Sequence, residues 1–379
     1  MDKKKNTIVV AGLVCLDITP QFPTNTVYDF QSCMLPGKLL RTHGVTVSAG
    51  GAVANTGIGL KKLGANVHLM YMVGADEFGA LVSRQLDSHQ IPCTRLVTEK
   101  GATGYSVVVA LPGHDRILLH DVGANDILSA TDFDEDVIRN ACIFHFGYPP
   151  SMRQFYLNQG KELIRMFQRI RNMDVATSLD MALANPESES GQQDWRQIIR
   201  DVIPYVDLFE PSLEELMFFL EPEHYDEWNQ KARENSCSIP EIVPREHVEA
   251  LADQLIQWGG RVVLVKCGSK GMHLRTASQE ALNQIGGTLS ANLSGWGDQK
   301  IHIPCYQVDH IRSGTGAGDT SIAGFLYALQ RGFPLQRCVE LAAATGAVCV
   351  TTYDALSAIV PLDELNCRIE TGWKRADAQ

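Results

Sequence analysis

The chain has 379 residues and a formal net charge of -11, with 45% hydrophobic and 20% charged residues. This composition is that of an ordinary soluble globular enzyme. The negative charge repels polyanions, and the one basic run, Lys3-Lys4-Lys5, is too short to reverse it, so nucleic acid is disfavoured as a partner. No apolar stretch reaches the roughly 20 residues of a membrane span, and the N-terminus lacks the apolar core of a signal peptide. These two features predict a cytoplasmic location. Ten cysteines without a CxxC pair predict reduced, mostly buried thiols.

Short runs rich in valine and isoleucine alternate with segments of helical period along most of the chain. The runs that we interpret as strands are Ile8–Leu16, Val67–Val73, Ala141–Phe146, Val175–Leu179, Val206–Phe209 and Arg261–Val265. Between them, residues 163–170 and 248–255 repeat apolar side chains at i, i+3, i+4 and i+7, which is typical of amphipathic helices. The pattern predicts a doubly wound α/β fold, with a mostly parallel sheet covered by helices on both faces. Ligands of such folds bind beyond the carboxyl ends of the strands.

Two stretches, Thr19–Val47 and Thr103–His120, break this alternation. The second has two β-rich arms around a Pro-Gly turn and is typical of a hairpin. We assign residues 19–47 and 103–120 to a small β lid, and residues 1–18, 48–102 and 121–379 to the α/β core. One large domain with a small appendage also suits the length, since single cores stop growing at about 250–300 residues.

Two further segments, Glu221–Glu246 and Thr276–Ile303, are long and rich in polar residues and glycine. Their composition predicts surface loops.

The segment Gly314-Thr-Gly-Ala-Gly-Asp319 precedes apolar residues at helical spacing. Small residues before a helix leave backbone N–H groups exposed, and these groups, with the positive end of the helix dipole, favour an anion. Asp319 falls in the first turn, where the alternative is an acid that merely favours a helix start. The segment is not a dinucleotide-binding GxGxxG, and the chain contains no GxxxxGK.

A second segment carries the pair Gly50-Gly51 and, four residues after it, Asn55. Paired glycines permit a close approach of the backbone, and an amide offers both a donor and an acceptor to a polyol. Asp17 follows the first predicted strand, where a carboxylate suits vicinal hydroxyls. The alternatives are a helix cap with small-residue packing for the glycine pair, and a loop-capping acid for Asp17.

These segments together resemble the ribokinase/PfkB-like carbohydrate kinases, over residues 8–358. The glycine pair with Asn55 is similar to the first family signature, and Gly316-Ala317-Gly318-Asp319 is similar to the second. The resemblance implies ATP with magnesium and transfer of the γ-phosphoryl group to a hydroxymethyl group. It implies that Asp319 is the catalytic base and that the amides of Gly316, Ala317 and Gly318 form the anion hole. The sugar-binding positions that it implies are Asp17, Gly50, Gly51 and Asn55.

The resemblance also implies which residues contact the nucleotide and the metal ion. The segment Lys266-Cys-Gly268-Ser-Lys-Gly271 is similar to the family's nucleotide-phosphate loop, in which Lys270 is either a phosphate contact or solvent-exposed. Residues 207–215 resemble the NxxE magnesium segment, but Ser212 stands where asparagine is expected. Because Glu215 is present, a water-mediated magnesium contact is weakened rather than lost.

Two departures concern the family's monovalent-cation site. Ser313 stands where the family usually has aspartate, and Asp354 stands where it usually has glycine. Either Asp354 holds a potassium ion from the opposite loop, or it caps a turn and the cation requirement is lost. We favour the second alternative slightly.

Three functions remain open at this point. A kinase acting on a sugar or polyol explains the motifs best, a nucleoside kinase of the same family is the alternative, and a non-catalytic sugar-binding relative is a third. A nucleoside kinase needs lid aromatics to stack a base, for which the candidates are Phe22, Tyr28 and Phe30.

The charge of the acceptor and the oligomeric state are also open. A phosphorylated acceptor needs cations near the lid, for which the candidates are Lys38, Arg41, Arg95 and Arg116. We favour an unphosphorylated sugar. The resemblance also suggests a homodimer formed through the lid.

Overall fold

The computed structural model describes residues 5–23, 29, 33, 35–111 and 117–376. The candidates Tyr28, Phe30 and Arg116 lie outside the described residues. The strands are β1 Thr7–Gly12, β2 Cys15–Pro20, β3 Val45–Gly50, β4 Asn66–Gly74, β5 Cys93–Thr98, β6 Tyr105–Val109, β7 Ile117–Asp121, β8 Ala141–Gly147, β9 Ala176–Asp180, β10 Leu208–Phe209, β11 Val262–Lys266, β12 Met272–Thr276 and β13 Lys300–Ile303.

The α-helices of the described residues alternate with these strands. They are α1 Gly51–Leu63, α2 Glu77–Ser88, α3 Glu135–Arg139, α4 Arg153–Arg171, α5 Trp195–Val202, α6 Leu213–Leu220, α7 Pro222–Glu234, α8 Ile239–Ile242, α9 Arg245–Gln257, α10 Gln279–Leu282, α11 Ala317–Gln330, α12 Leu335–Cys349 and α13 Leu362–Glu370. Helix α4 is interrupted by non-helical backbone at residues 157–160. None of these helices combines the length and the apolar character that crossing a membrane requires.

A nine-stranded sheet in the order β13-β12-β11-β10-β9-β8-β1-β4-β5 forms the centre of the molecule. The strands from β11 to β5 pair in parallel, whereas β12 and β13 add an antiparallel edge. One core cluster lies between the sheet and α1, α11 and α12, and a second lies on the opposite face under α4, α5 and α9. Burial on both faces explains the continuous apolar runs. The predicted fold class is confirmed.

Not every predicted strand boundary is right. The apolar run Ile8–Leu16 contains two strands, because β1 ends at Gly12 and β2 begins at Cys15 in a different sheet. Strands β5, β12 and β13 were not predicted. Strand β5, for example, is the edge strand of the sheet, and its polar residues interrupt any apolar run.

A separate four-stranded sheet has the order β3-β2-β6-β7. Strands β6 and β7 form the predicted hairpin, β2 pairs antiparallel with β3, and β2 pairs in parallel with β6. The chain enters this sheet at Cys15 and leaves β3 at Gly50. The sheet therefore uses residues on both sides of the 19–47 segment, and the boundaries of the lid stay a prediction.

The prediction of surface loops is wrong for the first polar segment and only partly right for the second. Segment Glu221–Glu246 contains helices α7 and α8, because Pro222 begins the first helix and a capping box between Ser238 and Glu241 begins the second. Segment Thr276–Ile303 consists largely of turns, but it packs against the core through buried apolar side chains. These are Leu282, Ile285, Leu289, Leu293 and Trp296.

Candidate active site

The glycine-rich segment 314–319 forms a turn that leads directly into α11. Gly316 is the N-cap residue, with φ 72°, and a Cβ atom on it would lie 2.2 Å from the Cβ atom of Ala355. Only glycine meets both demands. The first N–H groups of a helix have no intrahelical acceptor, so this end of α11 favours an anion. The Ala317 N–H, however, donates to the Gly314 carbonyl at 3.2 Å, which engages that predicted anion-hole amide within the turn.

Asp319 lies in the first turn of α11 and is only 2% exposed. The Tyr148 hydroxyl donates to both of its carboxylate oxygens, at 2.8 Å each. Asn55 donates through Nδ2 to Oδ2 at 3.0 Å, and the Thr56 hydroxyl lies 3.4 Å from Oδ1. The structure therefore joins the two sequence motifs through a direct contact between Asn55 and Asp319. The sequence analysis missed Tyr148 and Thr56.

The electrostatics of Asp319 suit a proton acceptor. Burial raises the pKa of Asp319, and hydrogen bonds from Tyr148 and Asn55 oppose that rise without cancelling it. The nearby Lys266 ammonium also lowers the pKa, whereas the Glu215 carboxylate raises it. A carboxylate with a raised pKa is a stronger base than an ordinary aspartate, which general base catalysis requires.

Tyr148 follows β8 and has left-handed backbone angles, φ 70° and ψ 42°. Such a conformation is uncommon for residues other than glycine and is often found at functional sites. Two prolines follow it, and a short 3-10 turn carries the chain into α4. The sequence Gly-Tyr-Pro-Pro at the end of a buried strand was the available signal, but it does not reveal which partner the side chain meets.

Asp17, Gly50 and Gly51 lie together where β3 leads into α1. A Cβ atom on Gly50 would lie 2.0 Å from Oδ2 of Asp17, so the carboxylate packs directly against the Gly50 backbone. Gly51 has φ 81°, and a Cβ atom there would lie 2.6 Å from the Leu13 carbonyl oxygen. The Cys15 thiol donates to Oδ1 of Asp17 at 3.4 Å. The structure thus brings three of the four predicted sugar-binding residues together at the start of the helix that carries Asn55.

A row of polar side chains crosses the small sheet beside Asp17. Strand pairing places Asp17 opposite Ser48 on β3 and opposite Ser106 on β6, and Ser106 opposite His120 on β7. The Ser106 hydroxyl lies 3.0 Å from Nδ1 of His120. Directly paired residues point to the same face of a sheet, so these four side chains share one face. The sequence alone could not supply this register.

Lys266 ends β11 and lies beneath the glycine-rich turn. Its ammonium is 2.6 Å from Oδ1 of Asp180 at the end of β9, and both side chains are buried. A Cβ atom on Gly318 would lie 3.4 Å from Nζ of Lys266, an ordinary packing distance. Burial lowers the pKa of Lys266, but the carboxylates of Asp180 and Glu215 outweigh it and hold the pKa above its ordinary value. The structure therefore places a buried cation directly beside the N-terminal end of α11.

A second set of buried polar side chains lies on β8, on β9 and directly after β10, and these side chains are joined by hydrogen bonds. His145 Nδ1 is 2.6 Å from the Ser178 hydroxyl, which lies 3.0 Å from the nearer carboxylate oxygen of Glu210. Burial lowers the pKa of His145 to about 3 and raises that of Glu210 to about 8. Both groups are therefore uncharged at neutral pH, so these side chains add no net charge behind the site.

Comparisons with known proteins identify the family. The model of the pfkB family carbohydrate kinases matches residues 10–361. The chain belongs to this family.

Among curated relatives, a 5-dehydro-2-deoxygluconokinase of Geobacillus thermodenitrificans is 21% identical and covers 96% of this chain and 93% of its own. A nucleoside kinase of Methanocaldococcus jannaschii is 25% identical and covers 85% of each chain. A putative ribokinase II of E. coli, solved with ATP and Mg²⁺, has 20% identity and a TM-score of 0.68, covering 97% of this chain and 99% of its own. Relatives with similar sequence identity to this chain are thus named for different substrates. Sequence identity alone therefore does not indicate which acceptor this chain uses.

The segment that resembles the family's magnesium motif begins α6. The Ser212 hydroxyl accepts from the Glu215 N–H at 3.2 Å, and the Glu215 carboxylate accepts from the Ser212 N–H at 2.6 Å. This capping box accounts for the serine. Within the described residues, no three His, Cys, Asp or Glu side chains are grouped so that they could hold a metal ion themselves. A single carboxylate close enough to act on Lys266 and Asp319 nevertheless fits Mg²⁺, which usually keeps several waters.

The segment that resembles the nucleotide loop lies between β11 and β12. Residues Gly268–Lys270 form a 3-10 turn, closed by a hydrogen bond from the Cys267 N–H to the Gly271 carbonyl. A cavity of about 400 Å³ is lined by residues that lie before the glycine-rich turn, around the 354 loop and near the C-terminus. Its lining includes Val308, Val348, Thr351 and Ala358, which flank that turn and the 354 loop. Lys270 is partly exposed and also interacts with another group of the protein, so it is not simply a solvated surface lysine.

Asp354 lies in a loop that faces the glycine-rich turn. The two segments are joined by a hydrogen bond from the Arg312 N–H to the Val350 carbonyl at 2.8 Å. The Asp354 carboxylate accepts from the N–H groups of Leu356 and Ser357 and from the Ser357 hydroxyl. These contacts favour the turn-capping alternative for Asp354.

Proposed function

We propose that this chain is an ATP-dependent carbohydrate kinase that phosphorylates a hydroxyl of a small, unphosphorylated sugar or polyol. The observation that carries the proposal is the Asp319 carboxylate, buried at the positive end of α11 and directly behind the glycine-rich turn. One helix end thereby combines an anion site with a proton acceptor, which are the two demands of phosphoryl transfer to an alcohol. Non-catalytic sugar binding would require neither group.

In the proposed reaction, Asp319 accepts the proton of the acceptor hydroxyl as that oxygen attacks the γ-phosphorus, and the bond from the γ-phosphorus to the bridging oxygen breaks so that ADP leaves. Asn55 orients the carboxylate through Oδ2. The N–H groups of Gly316 and Gly318 donate to the phosphoryl oxygens, and the Lys266 ammonium offsets their charge. Fixed donors of this kind need little reorganisation as charge develops, so they stabilise the transition state. Ala317 contributes to the shape of the turn rather than a donor.

We infer that Mg²⁺ bound with ATP is held through water by Glu215, with Ser212 fixing that carboxylate in its capping box. The ion would neutralise charge on the phosphates. The turn from Gly268 to Gly271 would border the nucleotide phosphates. The 400 Å³ cavity is a candidate for the base, because its lining combines apolar side chains such as Val308 and Trp373 with polar ones such as His310.

The acceptor site that we propose comprises Asp17, Gly50, Gly51 and Asn55, together with the polar row on the small sheet. Hydroxyl, carboxylate and imidazole groups in that row can each exchange hydrogen bonds with a polyol. The carboxylates of Asp17 and Asp319 oppose an anionic acceptor. The described cationic candidates are Lys38, Arg41 and Arg95. Arg95 donates to Tyr71 on β4 and pairs with Asp87 on α2, which weakens it as a phosphate contact and to that extent supports an unphosphorylated acceptor.

The small sheet would act as a lid over this acceptor site. Its edge strand β7 exposes Ile117, Leu118 and Leu119, with exposed fractions of 39%, 51% and 58%. Exposed apolar edges favour pairing with another chain, so we infer that β7 contributes to a homodimer. Sedimentation of Leu118→Lys against wild type tests this, because a charged edge should favour the monomer.

Every cysteine is a free thiol, which supports a cytoplasmic location.

The deciding experiment is a coupled assay of ADP formation over pentoses, hexoses, polyols, sugar acids, phosphosugars and nucleosides. We expect a neutral sugar or polyol to give the highest kcat/KM. A nucleoside or phosphosugar as the best acceptor would contradict the proposed acceptor class. No acceptor-dependent turnover, despite ATP binding by calorimetry, would contradict the kinase assignment.

A further inference from the structure

The donors that surround the Asp319 carboxylate come from two sides. Asn55 and Thr56 lie on α1, which packs against α11, and both are buried. Tyr148 comes from the loop after β8 and is partly exposed. Two donors are therefore fixed within the core, whereas Tyr148 lies between the carboxylate and the surface.

The Tyr148 hydroxyl makes the contact that an acceptor hydroxyl would need. A proton donor must approach a general base to about 2.6–3.2 Å, and the Tyr148 oxygen lies 2.8 Å from both Asp319 oxygens. Like a sugar hydroxyl, it is an O–H group on carbon. Burial raises the pKa of Tyr148 well above its ordinary value, so the phenol remains a donor at physiological pH.

We propose that the Tyr148 hydroxyl occupies the acceptor position on Asp319 in the absence of a substrate, and that a sugar hydroxyl enters by displacing it. Tyr148 is then a specificity-determining residue, because it keeps water from the base until a larger acceptor binds. This inference rests on the proposed role of Asp319. Without such exclusion, water would donate its proton to Asp319 and attack the γ-phosphorus, giving ADP and inorganic phosphate.

The backbone around Tyr148 indicates how the displacement occurs. Its N–H donates to the Asp180 carbonyl at 3.2 Å, and its carbonyl accepts from the Ser151 N–H at 3.0 Å. The main chain is therefore fixed on both sides in its left-handed conformation, with φ 70°. The hydroxyl leaves Asp319 by rotation of the side chain, without movement of the loop.

The test compares acceptor-free ATP hydrolysis in wild type, Tyr148→Phe, Asp319→Asn and the double variant, with ATP and Mg²⁺ as the only substrates. Tyr148→Phe keeps the ring but removes the hydroxyl. We expect it to raise hydrolysis about tenfold or more, because a hydrogen bond to a charged group is among the strong ones. Asp319→Asn should abolish that increase in the double variant. Tyr156→Phe is the matched control, since Tyr156 donates to Glu189 outside the site.

With the best acceptor from the screen, Tyr148→Phe should lower KM severalfold, because the acceptor hydroxyl no longer has to displace the phenol. Unchanged hydrolysis in Tyr148→Phe overturns the proposal even where wild type phosphorylates a sugar, so its failure differs from failure of the kinase assignment. A lower kcat with unchanged KM would also overturn it, because Tyr148 would then only orient the base. An increase in hydrolysis that persists in the double variant would show that Asp319 is not the base, which overturns both.

Discussion

The Lys266 ammonium lies 2.6 Å from Oδ1 of Asp180, and both groups are buried at the carboxyl ends of β11 and β9, the two strands that flank β10. Glu215 and Asp319 add to the negative potential at Lys266. Burial outweighs the Lys266 ammonium and raises the pKa of Asp180 to about 8, so a carboxylate left without that ammonium must take up a proton or remain as a buried charge. Buried pairs of this kind contribute little when both partners are present, but loss of one partner is costly.

Lys266→Met should therefore lower the free energy of unfolding by about 3–5 kcal/mol. The double variant with Asp180→Asn should recover most of that stability but not the kinase activity, since the cation near Gly318 is still missing. The control is Lys300→Met, which breaks a more exposed pair with Asp253 and should cost about 1 kcal/mol or less. Urea unfolding measures all three. Equal losses for Lys266→Met and Lys300→Met would contradict a buried charge pair.

The sequence predicts those parts of the fold and site that depend on local signals. Buried strands, the hairpin from β6 to β7, and the turn before α11 are marked by apolar runs, by Pro-Gly and by clustered glycines. The contact between Tyr148 and Asp319 joins residues 171 positions apart and depends on where the loop after β8 meets the first turn of α11. The polar row from Ser48 to His120 likewise depends on strand register. No local pattern contains this information.

Helices in the Glu221–Glu246 segment were missed for a related reason. Their polar residues face solvent, and only a few side chains, such as Tyr225 and Ala232, are buried. A helix with so narrow an apolar face is hard to distinguish from a polar loop, because the periodic signal comes from very few residues.

Asp319→Asn should lower kcat by about 10²–10⁴-fold while ADP binding remains, because the amide keeps the shape of the carboxylate but cannot accept the proton. In wild type, kcat/KM should fall as the pH is lowered through the pKa of Asp319. Because burial raises that pKa, the fall should occur above the ordinary aspartate range. Asp363→Asn, which alters a surface pair with Arg331, is the control. Near-wild-type kcat in Asp319→Asn would exclude this aspartate as the base.

Asn55→Ala and Asp17→Ala should have different kinetic effects. Asp17 packs against Gly50 and should affect acceptor affinity alone, raising KM about tenfold with little change in kcat. Asn55 also holds the base, so Asn55→Ala should lower kcat as well. Calorimetry with ADP should give wild-type affinity for both variants. A parallel loss of nucleotide affinity would instead indicate general unfolding.

Glu210→Gln should remove a pH dependence of stability. Burial raises the pKa of Glu210 to about 8, so between about pH 4.5 and 8 the folded state holds a proton that the unfolded state has lost. Stability of the wild type should therefore fall as the pH rises through this window, and a neutral glutamine should flatten the curve. Urea unfolding at pH 5.5, 7 and 9 measures this, with the exposed Glu234→Gln as control. A variant that is no more stable than wild type at pH 9 would contradict a protonated Glu210.

Asp354 should not serve as the ligand of a monovalent cation. Burial raises the pKa of Asp354, but hydrogen bonds from Ser357 and Leu356 outweigh it and hold the pKa below its ordinary value. A carboxylate already committed to three local donors has little capacity left for an ion, so we expect equal activity in potassium and in tetramethylammonium. Asp354→Gly should then lower the melting temperature, through loss of the turn, without changing the cation response. Ser357→Ala, which removes only the hydroxyl donor, is the control for the turn. Potassium activation that is present in wild type and in Ser357→Ala but absent in Asp354→Gly would instead assign the cation site to Asp354, because only that variant removes the ligand.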